Sequence, residues 1–354
     1  MTTPALLRLR EKFPDAHIAL LTPEKLADLW KNHPAVNEVV PFTSVGTPFA
    51  TAKKLRAEKF DLALILPNSP RSALEVFLAR IPQRIGYARP WRNFFLTQTV
   101  APRPEAVKMH KRSVAEIKQL VAADVSRRQT SVSRVLTNTA TTAHQIQEYL
   151  HLVAALGANP RPLAPQLFVI LEEIEAAREK FCLDKISVPI FGLNPGAEYG
   201  PAKRWPAERF IAAAQQIQSK TNCTWLLLGG KSDETVASQI QSAIGNQQST
   251  INLAGKTTLR ELMSLLKLCR VLLTNDTGPM HVAAALGTPV VVPFGSTSPE
   301  LTGPGLPGDP RHNLLKSDAP CSPCFLRECP IDFRCMNGIG VERVVESVVE
   351  ALKR

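Results

Sequence analysis

The chain lacks the signatures of several common enzyme classes. No G-x-G-x-x-G follows directly on a predicted strand, which gives a nicotinamide-dependent dehydrogenase little support, and no Walker A motif is present. The sequence also has no H-x-x-x-H pair for zinc and no nucleophile elbow of a serine hydrolase. No module that reads nucleic acid is recognisable. The function must therefore be sought in less regular patterns.

Long apolar runs are also scarce. The first 13 residues include two arginines and Lys12 but no apolar core, so no signal peptide is expected there. Residues 277–299 contain no charged side chain, which raises the question of a membrane span. That stretch also contains four prolines and three glycines, which favours two short buried elements instead. The sequence thus predicts a cytoplasmic protein.

Acidic residues are scarce in only one half of the chain. Residues 1–162 hold 23 Lys and Arg against 12 Asp and Glu, whereas residues 163–354 hold 19 of each. The whole net charge of +11 therefore lies in the first half, which indicates an anionic partner for that half. The charge alone leaves open nucleic acid, an acidic lipid surface, a phosphorylated substrate, or a basic surface that only favours solubility.

The seven cysteines fall into two groups. Three of them, Cys182, Cys223 and Cys269, lie among apolar residues and are predicted to be core. The other four form one cluster, CSPCFLRECPIDFRC, and they are Cys321, Cys324, Cys329 and Cys335. Disulfides are not expected in a cytosolic protein. The cluster either binds zinc or an iron–sulfur centre, or stiffens a loop with buried thiols.

Short apolar runs alternate with helical patterns along the whole chain. DLALILP (61–67) is one strand pattern of the first half, and TWLLLGG and PVVVPFG are two of the second. Such alternation predicts parallel sheets covered by helices. The predicted fold class is α/β, with two Rossmann-like, doubly wound parallel-sheet domains and a cleft between them. The predicted domains are residues 1–162, residues 163–338 and a final helix over 339–354.

The stretch Thr274–Gly295, TNDTGPMHVAAALGTPVVVPFG, predicts a strand, a tight turn, a helix and a second strand. The turn begins at Asp276 and lies where a parallel strand ends, the edge at which open α/β sheets bind ligands. The free N–H groups and positive end of the following helix suit phosphate. The alternative is that the acid only caps the helix and that His281 is a core residue.

Three further strand patterns of the second half end in polar or glycine-rich turns: NPGAEYGPAKRWP (194–206), GGKSDE (229–234) and LAGKTTL (253–259). Because the carboxyl ends of parallel strands share one edge, the four turns together predict a nucleotide pocket. Separate helix caps, such as Asp233, and a solvated Lys203 are the alternative. The candidate donor-binding residues are Gly196, Lys203, Gly230, Thr257, Asp276, Thr277, Gly278 and His281.

These motifs, together with LPNSPRSALEVFLARIPQRIGY (66–87) and CSPCFLRECP, resemble glycosyltransferase family 9, the ADP-heptose:lipopolysaccharide heptosyltransferases. PGAEYGPAKRWP is most similar to the heptosyltransferase II group of that family. The resemblance covers nearly the whole chain, and its most specific part is the D-T-G-x-x-H block at 276–281.

The resemblance implies a GT-B fold and an inverting transfer of heptose from ADP-heptose to the inner core on lipid A, without a cofactor or a catalytic metal. In the family, the residue matching Asp276 contacts the sugar, and those matching Thr277 and Gly278 lie at the diphosphate. Lys203 matches a basic residue at the donor phosphates, in a supporting catalytic role.

The expected acceptor is polyanionic, in agreement with the charge of the first half. The resemblance therefore implies an enzyme that contacts the cytoplasmic face of the inner membrane and does not bind nucleic acid. The predicted acceptor-binding residues are Arg71, Arg84, Arg89, Arg92, Lys111 and Arg112.

The first predicted element departs from the pattern of the family. A parallel α/β domain opens with a strand, but this sequence opens with the helical pattern TTPALLRLREKF. Family members begin with a strand and a Gly-Asp turn whose Asp is the expected general base. We therefore expect that the first strand and this base are missing and that transfer is slow. No residue of this sequence is then assigned as the catalytic base. Glu198 and Asp233 are the alternative bases.

Two other functions are compatible with the same residues. A GT-B-like epimerase would alter the sugar nucleotide without an acceptor, and a binding protein would retain the pocket without the reaction. Analysis of the products distinguishes both from a transferase.

Overall fold

The computed structural model describes residues 1–43, 46–107, 109–125, 134–136, 142–244 and 249–353. Contacts divide the chain into two units. The first comprises Met1–Ala106 and Gln145–Leu163, and the second comprises Val107–His144 and Ala164–Arg354. This division differs from the predicted domains, because the second unit includes residues 107–144 and the final helix.

The helices and strands up to residue 163 follow the predicted alternation. Thr3–Lys12 and Leu62–Ile65, for example, fall within the predicted helix TTPALLRLREKF and the predicted strand DLALILP. In chain order the elements are α1 Thr3–Lys12, β1 Ala19–Pro23, β2 Glu38–Phe42, α2 Pro48–Ala57, β3 Leu62–Ile65, α3 Pro70–Leu78, β4 Gln83–Tyr87, β5 Gln98–Val100, α4 Val114–Val125, β6 Arg134–Leu136 and α5 Gln145–Ala154. Glu24–Trp30 and Asn93–Phe95 are 3₁₀ helices.

The later elements are given in the same way. They are α6 Leu171–Lys180, β7 Ile190–Asn194, α7 Ala207–Thr221, β8 Thr224–Leu227, α8 Glu234–Ile244, β9 Thr250–Asn252, α9 Leu259–Leu268, β10 Leu272–Thr274, α10 Gly278–Ala285, β11 Val290–Phe294, α11 Pro299–Thr302, β12 Asn313–Lys316, α12 Arg334–Asn337 and α13 Val341–Ala351.

The strands of the first unit form two short parallel sheets. One contains β1 and β2, and the other has the order β3-β4-β5. Helices α2 and α3 begin in the same way, because Thr47 and Ser69 accept the N–H groups of Ala50 and Ser72 and a proline follows each cap. In the described residues no strand joins the two sheets, so the single sheet predicted for this half is not observed.

The second unit is built on one sheet of seven described strands. Their order is β6-β12-β11-β10-β7-β8-β9, and all neighbours are parallel except β6, which pairs antiparallel with β12. The five strands predicted for this half are all present, in agreement with their Val- and Leu-rich patterns. The sequence analysis missed β12 and β6, since both are short and have polar ends.

The core of the second unit lies between this sheet and the helices that cover it. Phe191 of β7 packs edge-on against Trp225 of β8, with ring centroids 5.6 Å apart. Trp205 and Phe210 form a second edge-on pair, with centroids 5.0 Å apart. Val348 of α13 is buried in the same cluster, which explains why the final helix belongs to this unit.

Residues 107–144 belong to the second unit through contacts with the cysteine cluster. Ile117 of α4 is buried against Cys321 and Cys324. The N–H of Arg112 donates to the Cys324 carbonyl at 3.1 Å, and its guanidinium donates to the Pro320 carbonyl at 3.0 Å.

None of the helices in the described part of the chain combines the length and the apolar character needed to cross a bilayer.

Candidate active site

The turns after β7 and β10 are tied together by one buried side chain. The Asn275 side-chain oxygen accepts the backbone N–H of Trp205 at 2.9 Å, and its amide nitrogen donates to the Pro195 carbonyl at 2.7 Å. Asn275 has no exposed surface. Because an unpaired amide would be costly at this position, the Asn275 bonds fix the two turns against each other. The prediction that strand-end turns share one edge is thus confirmed for this pair.

An ion pair lies at this junction. Lys203 Nζ is 2.6 Å from Asp276 Oδ2, and both side chains are largely buried. The hydroxyl of Thr297 donates to the same carboxylate oxygen at 2.5 Å. Lys203 Nζ also lies 4.7 Å from the centroid of the Tyr199 ring. The Lys203 ammonium of this pair can turn from the carboxylate to bind an anionic ligand.

Helix α10 begins directly after Asp276. Thr277 precedes the helix in an extended conformation, and a Cβ added at Gly278 would meet no atom within 4 Å. Space is therefore open beside the first residue of the helix, at the end where the helix dipole is positive.

His281 lies in the first turn of α10 and is half-buried. Burial lowers its pKa to about 3, and the nearby charge of Lys203 acts in the same direction. The imidazole is therefore neutral near pH 7, and can offer a hydrogen bond but not a charge. The structure thus brings together Lys203, Asp276, Thr277, Gly278 and His281.

The glycines of the turns after β7 and β8 meet at one carboxylate. Asp233 Oδ2 accepts the N–H of Gly230 at 3.0 Å. A Cβ added at Gly196 would lie 2.3 Å from the carboxyl carbon of Asp233, so the two turns pack closely at this point. The carboxylate of Asp233 thus caps its own turn and lies against the turn after β7.

Thr257 lies on the turn after β9, at the end of the sheet. Its neighbour Thr258 caps α9, accepting the N–H of Glu261 and donating its own N–H to the Glu261 carboxylate at 2.8 Å. Strand β9 is three positions from β10 in the sheet order, or about 14 Å at the usual strand spacing. Thr257 is therefore remote from the Lys203–Asp276 pair.

The sequence analysis missed a clamp on the Lys203 turn. Tyr199 donates its hydroxyl to the Phe325 carbonyl at 2.8 Å, and Arg327 Nε donates to the Tyr199 carbonyl at 2.7 Å. The Arg327 carbonyl accepts the N–H of Ala202 at 3.0 Å. Gly200 has φ of +150°, and any Cβ there would clash with that carbonyl. The glycine was a usable signal, since such close approach requires it.

The clamp residues belong to the loop of the cysteine cluster. Cys321, Cys324 and Cys335 are buried, and the N–H of Cys324 donates to the Ser296 carbonyl at 3.1 Å. Burial, together with the other three thiols of the cluster, raises the pKa of Cys335 to about 12. In the ranges that the structure describes, no three His, Cys, Asp or Glu residues are arranged to hold a metal ion. The burial of the thiols and the bond between Cys324 and Ser296 are consistent with the loop-stiffening alternative.

The prediction that Cys182 is core was wrong, whereas it was confirmed for Cys223 and Cys269. Cys182 is exposed, and it has φ of +53° in the turn after α6. Its apolar neighbours in sequence belong to the end of that helix and do not enclose the thiol.

The six predicted acceptor residues are divided between the two units. Arg71 bonds the Glu75 carboxylate and the Gly46 carbonyl, and Arg84 bonds the Phe95 carbonyl at 2.8 Å. Arg89 is half-buried in the first unit. Lys111, which is exposed, and Arg112 belong to the second unit.

Arg92 is fully buried, which corrects its prediction as a surface contact. Its Nη1 atom donates to the Pro67 carbonyl at 2.8 Å and to Asn68 Oδ1 at 3.3 Å. Gly86 makes room for the guanidinium, since a Cβ there would lie 2.7 Å from Nη2. In this conformation Arg92 supports the loop that carries it.

Comparisons with known proteins identify the relatives of this chain. The model of glycosyltransferase family 9 (heptosyltransferase) matches residues 49–333. Lipopolysaccharide heptosyltransferase 2 of Salmonella typhimurium is 31% identical over 320 residues, which cover 86% of this chain and 81% of the relative. The protein of the same name from Escherichia coli K12 is 32% identical over the same shares.

Solved structures show the same fold. The structure of E. coli ADP-heptose LPS heptosyltransferase II superposes with a TM-score of 0.77 at 27% identity, over 100% of this chain and 94% of that one. A family 9 glycosyltransferase from Veillonella parvula superposes with a TM-score of 0.75 at 20% identity, over 99% and 93% of the two chains. The predicted α/β fold of GT-B type is thereby confirmed. The chain belongs to glycosyltransferase family 9, the heptosyltransferases.

Proposed function

We propose that the protein is an inverting glycosyltransferase that moves a heptose from ADP-heptose to the inner core of lipopolysaccharide, on a lipid A-linked acceptor. The observation that carries this proposal is the Lys203–Asp276 pair beside the amino end of α10. The family and the names of the relatives supply the donor and acceptor classes.

In this proposal the donor diphosphate occupies the open space before Gly278. The N–H groups of Thr277 and Gly278 donate to phosphate oxygens, and Lys203 turns from Asp276 to the diphosphate. Asp276, released from the lysine but still bonded by Thr297, accepts hydrogen bonds from the sugar hydroxyls. The neutral imidazole of His281 adds a hydrogen bond at the same helix end.

The same groups favour departure of ADP. When the bond between the anomeric carbon and the diphosphate oxygen breaks, negative charge grows on the phosphate. Once the donor is bound and Lys203 has turned to it, the ammonium and the dipole of α10 are directed at that position, so they stabilise the transition state with little further reorganisation. Inversion follows if the acceptor hydroxyl attacks the opposite face of the sugar.

The general base stays unassigned. Asp233, considered from the sequence, accepts the N–H of Gly230 and is packed on Gly196, so its carboxylate serves the turn.

The acceptor is proposed to bind to the first unit, with the enzyme peripheral on the cytoplasmic face of the inner membrane. The residues of this unit hold 16 Lys and Arg against 10 Asp and Glu, a net of +6. Residues 107–144 of the second unit add seven basic against two acidic side chains. Arg71, Arg84 and Arg89 remain acceptor candidates, as do Lys111 and Arg112, whereas Arg92 acts from beneath the surface.

Calorimetry with ADP and ADP-heptose tests the donor site. Lys203→Ala should weaken ADP binding about tenfold or more, because it removes a charge-assisted hydrogen bond worth about 1.5–3 kcal/mol. Asp276→Ala should spare ADP but weaken ADP-heptose, since only the latter carries the sugar.

Lys220→Ala is the matched control, because Lys220 is exposed at the end of α7. Equal affinities in all three variants would remove Lys203 and Asp276 from the donor site.

A further inference from the structure

Two aromatic side chains of the first unit are almost fully exposed. Trp91 is 89% exposed and Phe94 is 82% exposed, the highest values among the large apolar residues that the structure describes. Both lie in the short turn 88–95 between β4 and β5. Isolated apolar residues at a surface are ordinary, but two such residues three positions apart in one turn form a feature that needs a cause.

The turn is held in place by its own polar groups. Trp91 has φ of +64°, a conformation that bulky residues rarely adopt. Asn93 Oδ1 accepts the N–H of Arg89 at 2.8 Å, and the buried guanidinium of Arg92 bonds Pro67 and Asn68 below the turn. The Trp91 indole is therefore presented outward by a built scaffold.

Phe94 extends this feature into a patch. Its ring centroid lies 5.6 Å from that of Phe95 and 6.1 Å from that of Phe77, which is itself 37% exposed. We call Phe77, Trp91 and Phe94 the aromatic patch. The patch thus combines the end of α3 with the β4–β5 turn.

The chain around the aromatic patch is basic only. Residues 76–104 contain five arginines and no Asp or Glu. Arg84 lies over the Phe77 ring at 5.5 Å, Arg89 precedes Trp91 by two positions, and Arg80 is exposed just after α3. Aromatic rings with cations and without carboxylates are the combination that bilayer interfaces favour, because rings enter the acyl boundary while guanidinium groups meet lipid phosphates.

We propose that the aromatic patch docks on an anionic bilayer, with Trp91 and Phe94 inserted at the level of the headgroups and Arg80, Arg84 and Arg89 at the lipid phosphates. The docking proposal rests on the proposed function in one respect, because a lipid-linked acceptor requires contact between the protein and a bilayer. The turn follows the carboxyl end of β4, the sheet edge at which open α/β units bind ligands. Docking there brings the membrane to that edge.

Partitioning of the full chain onto vesicles tests the proposal. The vesicles are phosphatidylcholine with and without phosphatidylglycerol. Trp91→Ser with Phe94→Ser should reduce partitioning to the anionic vesicles about tenfold. Trp91→Phe should retain most of it. Phe49→Ser is the matched control, because Phe49 is 69% exposed on α2 of the same unit but outside the patch.

The fluorescence of Trp91 provides a direct measure of insertion. Trp205 and Trp225 are fully buried, so the difference between the parent and Trp91→Phe isolates the exposed indole. On anionic vesicles this difference spectrum should shift to the blue and be quenched by brominated acyl chains.

Unchanged partitioning of the double variant, or binding without quenching, would overturn the proposal. The proposal would also be overturned if the double variant raised the KM equally for the lipid-linked acceptor and for an acceptor freed of its lipid chains. The aromatic patch would then contact the sugar of the acceptor. ADP calorimetry on the same variants separates the two proposals, since the donor site lies in the second unit. Absence of ADP binding by the parent chain, together with normal vesicle insertion, would count against the proposed function alone.

Discussion

The sheets of the two units differ in how completely their strands are covered. In the second unit, β7 is buried at all five residues and has β10 and β8 as neighbours. In the first unit, β1 pairs only with β2 among the described strands, and β3 pairs only with β4. Their leucines, such as Leu20 and Leu64, are only half-buried. The proposed donor site therefore lies in the unit whose strands are better covered.

The largest expected effect comes from the same substitution made in each sheet. Leu193→Ala in β7 should destabilise the second unit by about 3 kcal/mol or more, because Leu193 has no exposed surface and its loss leaves a cavity. Leu64→Ala in β3 should cost the first unit less than about 2 kcal/mol, since Leu64 is half-buried.

Hydrogen exchange, measured on peptides from each unit at increasing denaturant concentration, gives the loss of stability of each unit separately. Equal costs would show that the half-buried strands of the first unit contribute as much to stability as the covered ones.

Acidic pH should reverse the difference in stability between the two units, because it should destabilise the second unit. Burial lowers the pKa of His312 to about 4, and neither ring nitrogen has a hydrogen-bond partner in the described residues. Burial likewise lowers the pKa of His144 to about 4, although its bond to the Gly303 carbonyl acts in the opposite direction. The unfolded chain binds these protons near pH 6.5, and the folded chain does not.

The stabilisation by these histidines is therefore complete above pH 6.5 and is lost as the pH falls from 6.5 towards 4, by about 1.4 kcal/mol per histidine and pH unit. His312→Asn should flatten this dependence of second-unit stability on pH. If His312→Asn and the parent showed the same slope of second-unit stability against pH between pH 6.5 and 4.5, His312 would have to take up its proton in the folded protein as readily as in the unfolded chain.

The smallest expected effect concerns the clamp on the Lys203 turn. Arg327→Ala removes the bond to the Tyr199 carbonyl and should raise the KM for the donor several-fold, the effect of about 1 kcal/mol. Arg327→Lys should restore part of it, and kcat should change less than KM. A loss of stability without a change in donor KM would make the clamp purely structural.

The sequence predicted the second unit better than the first for physical reasons. Continuous apolar runs such as VVVPF can only be buried strands, and parallel strands bring their turns to one edge. That shared edge predicted that Lys203 and Asp276 lie in one site, although not that they form an ion pair. The bonds of Asn275 and the clamp by Arg327 were not predictable, because the sequence does not show which polar groups of turns 70 positions or more apart will pair.

The misses in the first half of the chain have a similar cause. Arg92 stands in a polar, basic stretch, and nothing local indicates that Gly86 opens a space beneath it. Residues 107–144 read as a continuation of the first half, yet Ile117 is buried against Cys321 of the second unit. Partners distant in sequence decided both placements, and local pattern carries no information about them.

Mass analysis of a lipid A-linked inner-core acceptor incubated with ADP-heptose tests the central claim most directly. The account predicts that the acceptor gains one heptosyl unit with the parent chain, and that Lys203→Ala lowers the rate of this gain by about a hundredfold. An unmodified acceptor with the parent chain, or equal rates for the parent and Lys203→Ala, would contradict it.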